Sequence, residues 1–112
     1  MRRDADWLLD ILEAIEKLER PELRDEQQFL GNELFQVWAQ HYLQIIGEAS
    51  SRLSGDIRNK YPLAPWAQIV AMRNVLVHHY FGIDLEEIRK TLQDDIPLLK
   101  RTVLGILEEL EK

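Results

Sequence analysis

A group of polar residues in the second half of the chain could do chemistry together. Arg73, Asn74, His78 and Tyr80 lie within eight residues. In a helix, Asn74 and His78 face the same way one turn apart, and Tyr80 lies on the same side as Arg73. Arginine binds a phosphate through paired hydrogen bonds at any working pH, and histidine exchanges a proton near neutrality. Cleavage of an RNA phosphodiester needs a base for the 2′-hydroxyl proton and a cation for the charge that develops at phosphorus, so the spacing favours that reaction.

Each of these residues also has a structural interpretation. Arg73 falls within an apolar stripe, where its charge could be neutralised by a carboxylate such as Glu48, which would orient Arg73 in either case. Tyr80 could be a core tyrosine with its hydroxyl at the rim. His41 is predicted to be packed or partly buried, and His79 to be a solvent-facing neighbour of the motif.

Composition excludes several classes of protein. The 112 residues predict one domain spanning residues 1–112, and the chain has no cysteine, hence no disulfide, thiolate nucleophile or cysteine-based metal site. No apolar run approaches the roughly 20 residues that cross a bilayer, and no signal-peptide core follows Met1. The three histidines show no familiar metal-ligand spacing. We therefore expect a cytoplasmic protein without membrane association, metal or cofactor.

Charge is distributed unevenly along the chain. The net charge of −6 argues against a protein whose whole surface coats nucleic acid. Between Ala49 and Ile83, however, the only acidic residue, Asp56, is outnumbered by four basic ones. A basic segment in an acidic body is typical of a site for a local anionic ligand. Three of its cations could guide an RNA backbone, or could belong to a solvated loop: Arg52, Arg58 and Lys60.

Helical periodicity dominates the first half of the chain. An apolar stripe between Trp7 and Leu18 predicts a first helix, which Arg20-Pro21 closes because a residue before proline avoids the α region. A longer stripe predicts a second helix from about Glu26 to Ser50, with Gly31 as a weak position near its start.

The second half continues the helical pattern. A third helix begins at Pro65-Trp66 and ends at about His79 or Phe81. Asp84 suits the N-cap of a short fourth helix. Asp95-Ile96-Pro97 then restarts the chain into the last helix. Together these segments predict an all-α, compact bundle of four to five helices. The stripe of the second helix is broader than one packing seam, which predicts a homodimer. The tryptophans are expected in the core or an interface: Trp7, Trp38 and Trp66.

The motif region resembles a known family. The block from Arg73 to Tyr80 matches the Arg-x4-His-x-Tyr motif of HepT-like toxins, a branch of the HEPN ribonuclease superfamily. Its flanks, Trp66 to Met72 and Phe81 to Asp84, are similar as well, as is Gly47-Glu48-Ala49 at the end of the long helix. The resemblance extends over most of the chain in helix order and length.

The resemblance implies a helical homodimer that cuts RNA without a metal ion, as the toxin of a type VII-like toxin–antitoxin system. Arg73 and His78 would be catalytic and Asn74 would position them. A small MNT-type nucleotidyltransferase antitoxin would silence the toxin by transferring AMP to Tyr80, which places bulk and negative charge beside Arg73. Two alternatives remain open: a non-catalytic helical partner or scaffold of a nucleotidyltransferase, and a plain dimerisation domain.

Overall fold

Four helices of more than ten residues form most of the structure. The computed structural model describes residues 2–78 and 82–112, and within those ranges every regular element is helical. The elements, in chain order, are α1 (Asp4–Lys17), α2 (Pro21–Arg24), α3 (Glu26–Leu30), α4 (Glu33–Arg52), α5 (Gly55–Lys60), α6 (Trp66–His78), α7 (Leu85–Lys90), a π-helical turn (Thr91–Asp95) and α8 (Ile96–Leu110). The expected all-α class is confirmed. In the described ranges, no helix combines the length and apolarity that crossing a membrane requires.

The core lies between the long helices. Helix α4 packs against α1 on one side and α6 on the other, and α1 packs against α8. Each long helix contributes side chains that are removed from solvent almost completely, and burial of one such side chain is worth about 1.5–3 kcal/mol. These side chains are Leu8, Ile11 and Ile15 from α1, Leu43 and Ile46 from α4, Ile69 and Leu76 from α6, and Leu99, Val103 and Ile106 from α8.

Polar contacts at both ends of α1 fix it against the rest of the bundle. At its start, the Asp4 carboxylate accepts hydrogen bonds from the Ser54 backbone N–H (2.8 Å) and from the Ser54 hydroxyl (2.7 Å). At its end, the Trp38 indole Nε1 donates to the Lys17 carbonyl oxygen (2.7 Å), which satisfies a terminal carbonyl of the helix. Helix α4 is therefore held in register beside α1.

The predicted single helix from Glu26 to Ser50 is wrong, because the chain breaks between α3 and α4. Gly31 ends α3, and the Asn32 side chain caps α4 by accepting a hydrogen bond from the Leu34 N–H (2.9 Å). The Gln36 amide nitrogen then donates to the carbonyl oxygens of Phe29 (3.0 Å) and Leu30 (3.2 Å). Local capping groups form hydrogen bonds with backbone N–H and C=O groups at the break, so the interruption costs little stability.

The predicted start of the last helix at Asp95-Ile96-Pro97 is confirmed, because α8 begins at Ile96, but no break in the helical backbone precedes it. Helix α7 runs into the π-helical turn and then into α8 without leaving the helical region, since Lys90 and Ile96 on either side of the turn both have right-handed helical angles. Pro97 has no N–H for the helix ladder and would crowd the carbonyl one turn before it. A wider π turn directly before the proline accommodates this without a break.

Candidate active site

Arg73 is held in one orientation on α6. Its Nη2 donates to Glu48 Oε2 on α4 (2.7 Å), and its Nη1 donates to the side-chain oxygen of the adjacent Asn74 (2.8 Å). About a third of the Arg73 side chain (31%) remains exposed to solvent. A guanidinium has five N–H donors, so these two contacts leave donors for an anion that approaches from solvent.

Gly47 makes this placement of Arg73 possible. A Cβ atom added at position 47 would overlap Arg73 Cβ, lie 2.8 Å from Arg73 Cγ and lie 3.2 Å from the Ile69 carbonyl oxygen. This role of Gly47 does not follow from the apolar pattern of the sequence. The available signal was a glycine inside a long helix, which costs about 1 kcal/mol relative to alanine and needs a packing reason.

Glu48 lies between two guanidinium groups. Besides its contact with Arg73, its Oε1 accepts a hydrogen bond from Arg52 Nε (3.1 Å), one turn further along α4. All three side chains are partly exposed, and such ion pairs contribute at most about 1 kcal/mol each. The carboxylate therefore serves to orient Arg73 more than to stabilise the fold, and the cluster retains one net positive charge.

His78 and Asn74 lie on the exposed side of the same helix. His78 occupies the last turn of α6, five residues after Arg73, and both His78 and Asn74 are exposed. One helix thus presents a cation, a carboxamide and an imidazole to solvent at its C-terminal end. The remaining motif residues lie outside the described residues, so the predictions for His79 and Tyr80 stay predictions.

The expectation that His41 is packed is wrong. His41 is exposed on α4, with its ring edge against Tyr42 at 4.8 Å between centroids. It lines a shallow groove of about 350 Å³ together with Gln44, Glu48 and Arg73. Helices α1 and α6 cover only part of the broad apolar stripe of α4, and position 41 belongs to the uncovered edge.

The structure separates the three other candidate cations. Arg52 adjoins Arg73 through their shared partner Glu48. Arg58 and Lys60 lie on α5, with Arg58 in a second groove and the Lys60 amine over the Tyr61 ring at 5.7 Å.

Trp66 is buried, while Trp7 and Trp38 are half-buried against the core. In residues 2–78 and 82–112, no group of three or more His, Asp or Glu side chains is arranged to hold a metal ion.

Known proteins with similar sequences place this geometry in context. A Thermococcus cleftensis protein named "Probable ribonuclease HepT" is 40% identical over 114 residues, covering 99% of this chain and 98% of that protein. A Methanocaldococcus jannaschii protein named "Putative RNase" is 39% identical over 98 residues, covering 87% of this chain and 90% of its own length. Another M. jannaschii protein, whose name joins such an RNase to a gamma-glutamylcyclotransferase, is 38% identical over 114 residues, and this chain spans 51% of its length.

No solved structure matches the chain significantly. The family model described as "Ribonuclease HepT-like" matches residues 11–106, which include α4, α6 and the whole Arg73 site. The chain therefore belongs to the HepT-like ribonuclease family.

Proposed function

We propose that the protein is an RNA endonuclease in which Arg73 and His78 act without a metal ion. The observation that carries the proposal is the guanidinium of Arg73, held between Glu48 and Asn74 yet open to solvent, on the same helix as the exposed His78. A purely structural arginine would be expected to have its donors consumed by protein partners. Membership of the HepT-like family supports the same conclusion.

The reaction divides between these two side chains. The neutral imidazole of His78 removes the proton of a ribose 2′-hydroxyl, and the 2′-oxygen forms a bond to the adjacent phosphorus. Arg73 stabilises the extra negative charge on the phosphoryl oxygens. The bond from phosphorus to the 5′-oxygen then breaks, and the leaving oxygen takes up a proton. The products are a 2′,3′-cyclic phosphate and a 5′-hydroxyl.

The proposal includes a homodimer, because the leaving oxygen needs a proton donor and a second His78 could supply it. Apolar side chains remain uncovered on the two helices that form the site. Leu34 and Val37 on α4 are 76% and 54% exposed, and Val75 and Val77 on α6 are 42% and 40% exposed. A second copy that packs on these helices would cover the apolar surface and bring two His78 side chains to one cleft.

The proposal also includes control by an MNT-type nucleotidyltransferase antitoxin. The Tyr80 phenol oxygen would attack the α-phosphorus of ATP, pyrophosphate would leave, and the phenolic proton would pass to a base of the antitoxin. AMP on Tyr80 would add negative charge two residues after His78, which disfavours the approach of RNA.

Cleavage assays on purified protein test the proposal. Wild type is expected to cut RNA in EDTA, and His78→Ala is expected to abolish cleavage while its circular dichroism spectrum and unfolding midpoint stay unchanged, since His78 is exposed. The matched control is His41→Ala, another exposed histidine, which should retain most activity. Absence of cleavage by wild type, together with a stable complex with the nucleotidyltransferase, would instead support a non-catalytic scaffold.

A further inference from the structure

A second groove runs along α6, and Asn74 of the candidate active site is part of its lining. We define it as the Arg58 groove; its volume is about 880 Å³, and its lining includes Arg58, Asn59, Leu63, Gln68, Asn74 and Asp95. Asn74 connects it to the active site, because the side chain that lines the groove also accepts the hydrogen bond from Arg73 Nη1 (2.8 Å). A chain molecule bound at Arg73 can therefore continue past Asn74 into this groove.

The chemistry of the lining fits one nucleotide. Arg58 lines the groove and is partly exposed, so it supplies a cation to a ligand that enters. Phosphate oxygens accept hydrogen bonds readily from such a guanidinium. The carboxamides of Asn59 and Gln68 can pair with the edge of a base, as proteins commonly do with unstacked RNA bases.

One exposed leucine forms an apolar part of the groove wall. Leu63 is 85% exposed and lies in the segment between α5 and α6. That segment is held by backbone hydrogen bonds from Ala64 to Tyr61 (3.3 Å) and from Trp66 to Ala64 (2.9 Å), and by the Trp66 indole, which donates to the Tyr61 carbonyl (3.0 Å). The fixed backbone presents the Leu63 side chain as an apolar surface on which a base can lie.

The alternative path for an RNA strand is less favourable. In the groove that contains His41, the carboxylates Asp10 and Glu48 are already paired with Arg2 and Arg73 (2.7 Å each), and the lining adds no lysine or arginine besides Arg73 among the described residues. The Arg58 groove holds one carboxylate, Asp95, in its lining. Burial, and secondarily the neighbouring Asp94, raise the pKa of Asp95.

We propose that the Arg58 groove binds the nucleotide next to the scissile phosphate, with its phosphate on Arg58 and its base against Leu63 and the carboxamides. This inference rests on the proposed ribonuclease function and adds a substrate contact next to the cut site. It also gives Arg58 a role separate from that of Arg52, which is engaged with Glu48.

Binding of an uncleavable RNA tests the groove separately from catalysis. The probe is a fluorescein-labelled 2′-O-methyl oligonucleotide of about eight residues, and its affinity for the full chain is measured by fluorescence anisotropy across a salt series. Arg58→Ala is expected to weaken binding by about fivefold or more and to lower the salt slope by about 0.7, the value for one single-strand phosphate contact. The matched control is Arg101→Ala, which removes the same charge from an exposed residue of α8 outside the groove and should change affinity less than about twofold.

A second variant guards against loss of folding. Leu63→Ser changes a side chain that is almost fully exposed, so the fold should be unaffected, and it is also expected to weaken binding. Equal affinities and salt slopes for Arg58→Ala and Arg101→Ala would overturn the inference, as would an absence of binding by wild type. If wild type binds the probe through Arg58 but never cuts RNA, the nuclease proposal fails while the groove assignment stands. If wild type cuts RNA but Arg58→Ala binds the probe as Arg101→Ala does, the groove assignment fails while the nuclease proposal stands.

Discussion

The substitution of Gly47 by alanine tests how closely α4 and α6 must approach to place Arg73. An alanine methyl at this position would overlap Arg73 Cβ, which is fixed to the backbone of α6 and which no change of rotamer can move. The nearby Ile69 carbonyl oxygen is also backbone. The two helices must therefore separate, and overpacking of this kind costs about 1–3 kcal/mol.

Helix propensity acts in the opposite direction. Alanine is favoured over glycine inside a helix by about 1 kcal/mol, so the net expectation for Gly47→Ala is a loss of about 0–2 kcal/mol in the free energy of unfolding. Gly105 in α8 provides the matched control, because a Cβ there would meet no atom within 4 Å. Gly105→Ala should stabilise the protein by about 0.5–1 kcal/mol.

Urea and thermal unfolding, followed by circular dichroism, measure the difference between these two variants. At about 4 °C per kcal/mol, Gly47→Ala should unfold at or below the wild-type temperature and Gly105→Ala about 2–4 °C above it. Displacement of Arg73 by even about 1 Å should also lower RNA cleavage by roughly 100-fold in Gly47→Ala alone. A Gly47→Ala protein as stable and as active as Gly105→Ala would refute the reasoning about the helix approach.

Two further substitutions probe the carboxylates near the site. Glu48→Gln keeps an oxygen that can accept a hydrogen bond from Arg73, so it should retain most activity and change stability by less than about 1 kcal/mol. Glu48→Ala removes that oxygen and should lower kcat by about tenfold or more. Equal activities of the two variants would contradict the orienting role. Burial raises the pKa of the Asp95 carboxyl above its ordinary value of 3.8. The folded protein therefore keeps the carboxyl proton to higher pH than the unfolded chain does, and the free energy of unfolding falls as pH rises through the raised pKa. Asp95→Asn should therefore unfold at a higher temperature than wild type near about pH 7 but not near about pH 3, and a difference that is independent of pH would contradict this.

Sequence periodicity predicted the helical class and the position of Arg73, because both depend on local spacing. Arg73 lies three and four residues after Val70 and Ile69, which placed it within the apolar stripe of the helix, and in the structure it contacts Glu48 on α4. Asn74 was predicted to position the catalytic pair, and its contact with Arg73 is one between sequence neighbours. The contact between Arg73 and Glu48 joins residues 25 positions apart. Glu48 was predicted only as an example of the carboxylate that would neutralise a buried arginine.

Other features depend on how helices lie beside one another, and the pattern alone could not supply them. The role of Gly47 arises from the distance between two helix axes, and the exposure of His41 depends on which edge of α4 its neighbours cover. The break at Gly31-Asn32 and the continuous passage through Pro97 reflect local capping and a π turn, which compete with periodicity on a scale of a few residues.

The chemistry at the scissile bond is tested most directly by one change in the substrate. An RNA oligonucleotide that the protein cuts at a mapped position is compared with the same oligonucleotide carrying a single 2′-deoxy sugar there, in EDTA, with the products identified by mass spectrometry. If His78 removes the 2′-hydroxyl proton, the normal RNA yields a 2′,3′-cyclic phosphate and the deoxy version stays intact at that position. Cleavage of the deoxy version at an equal rate would contradict this account of how Arg73 and His78 work.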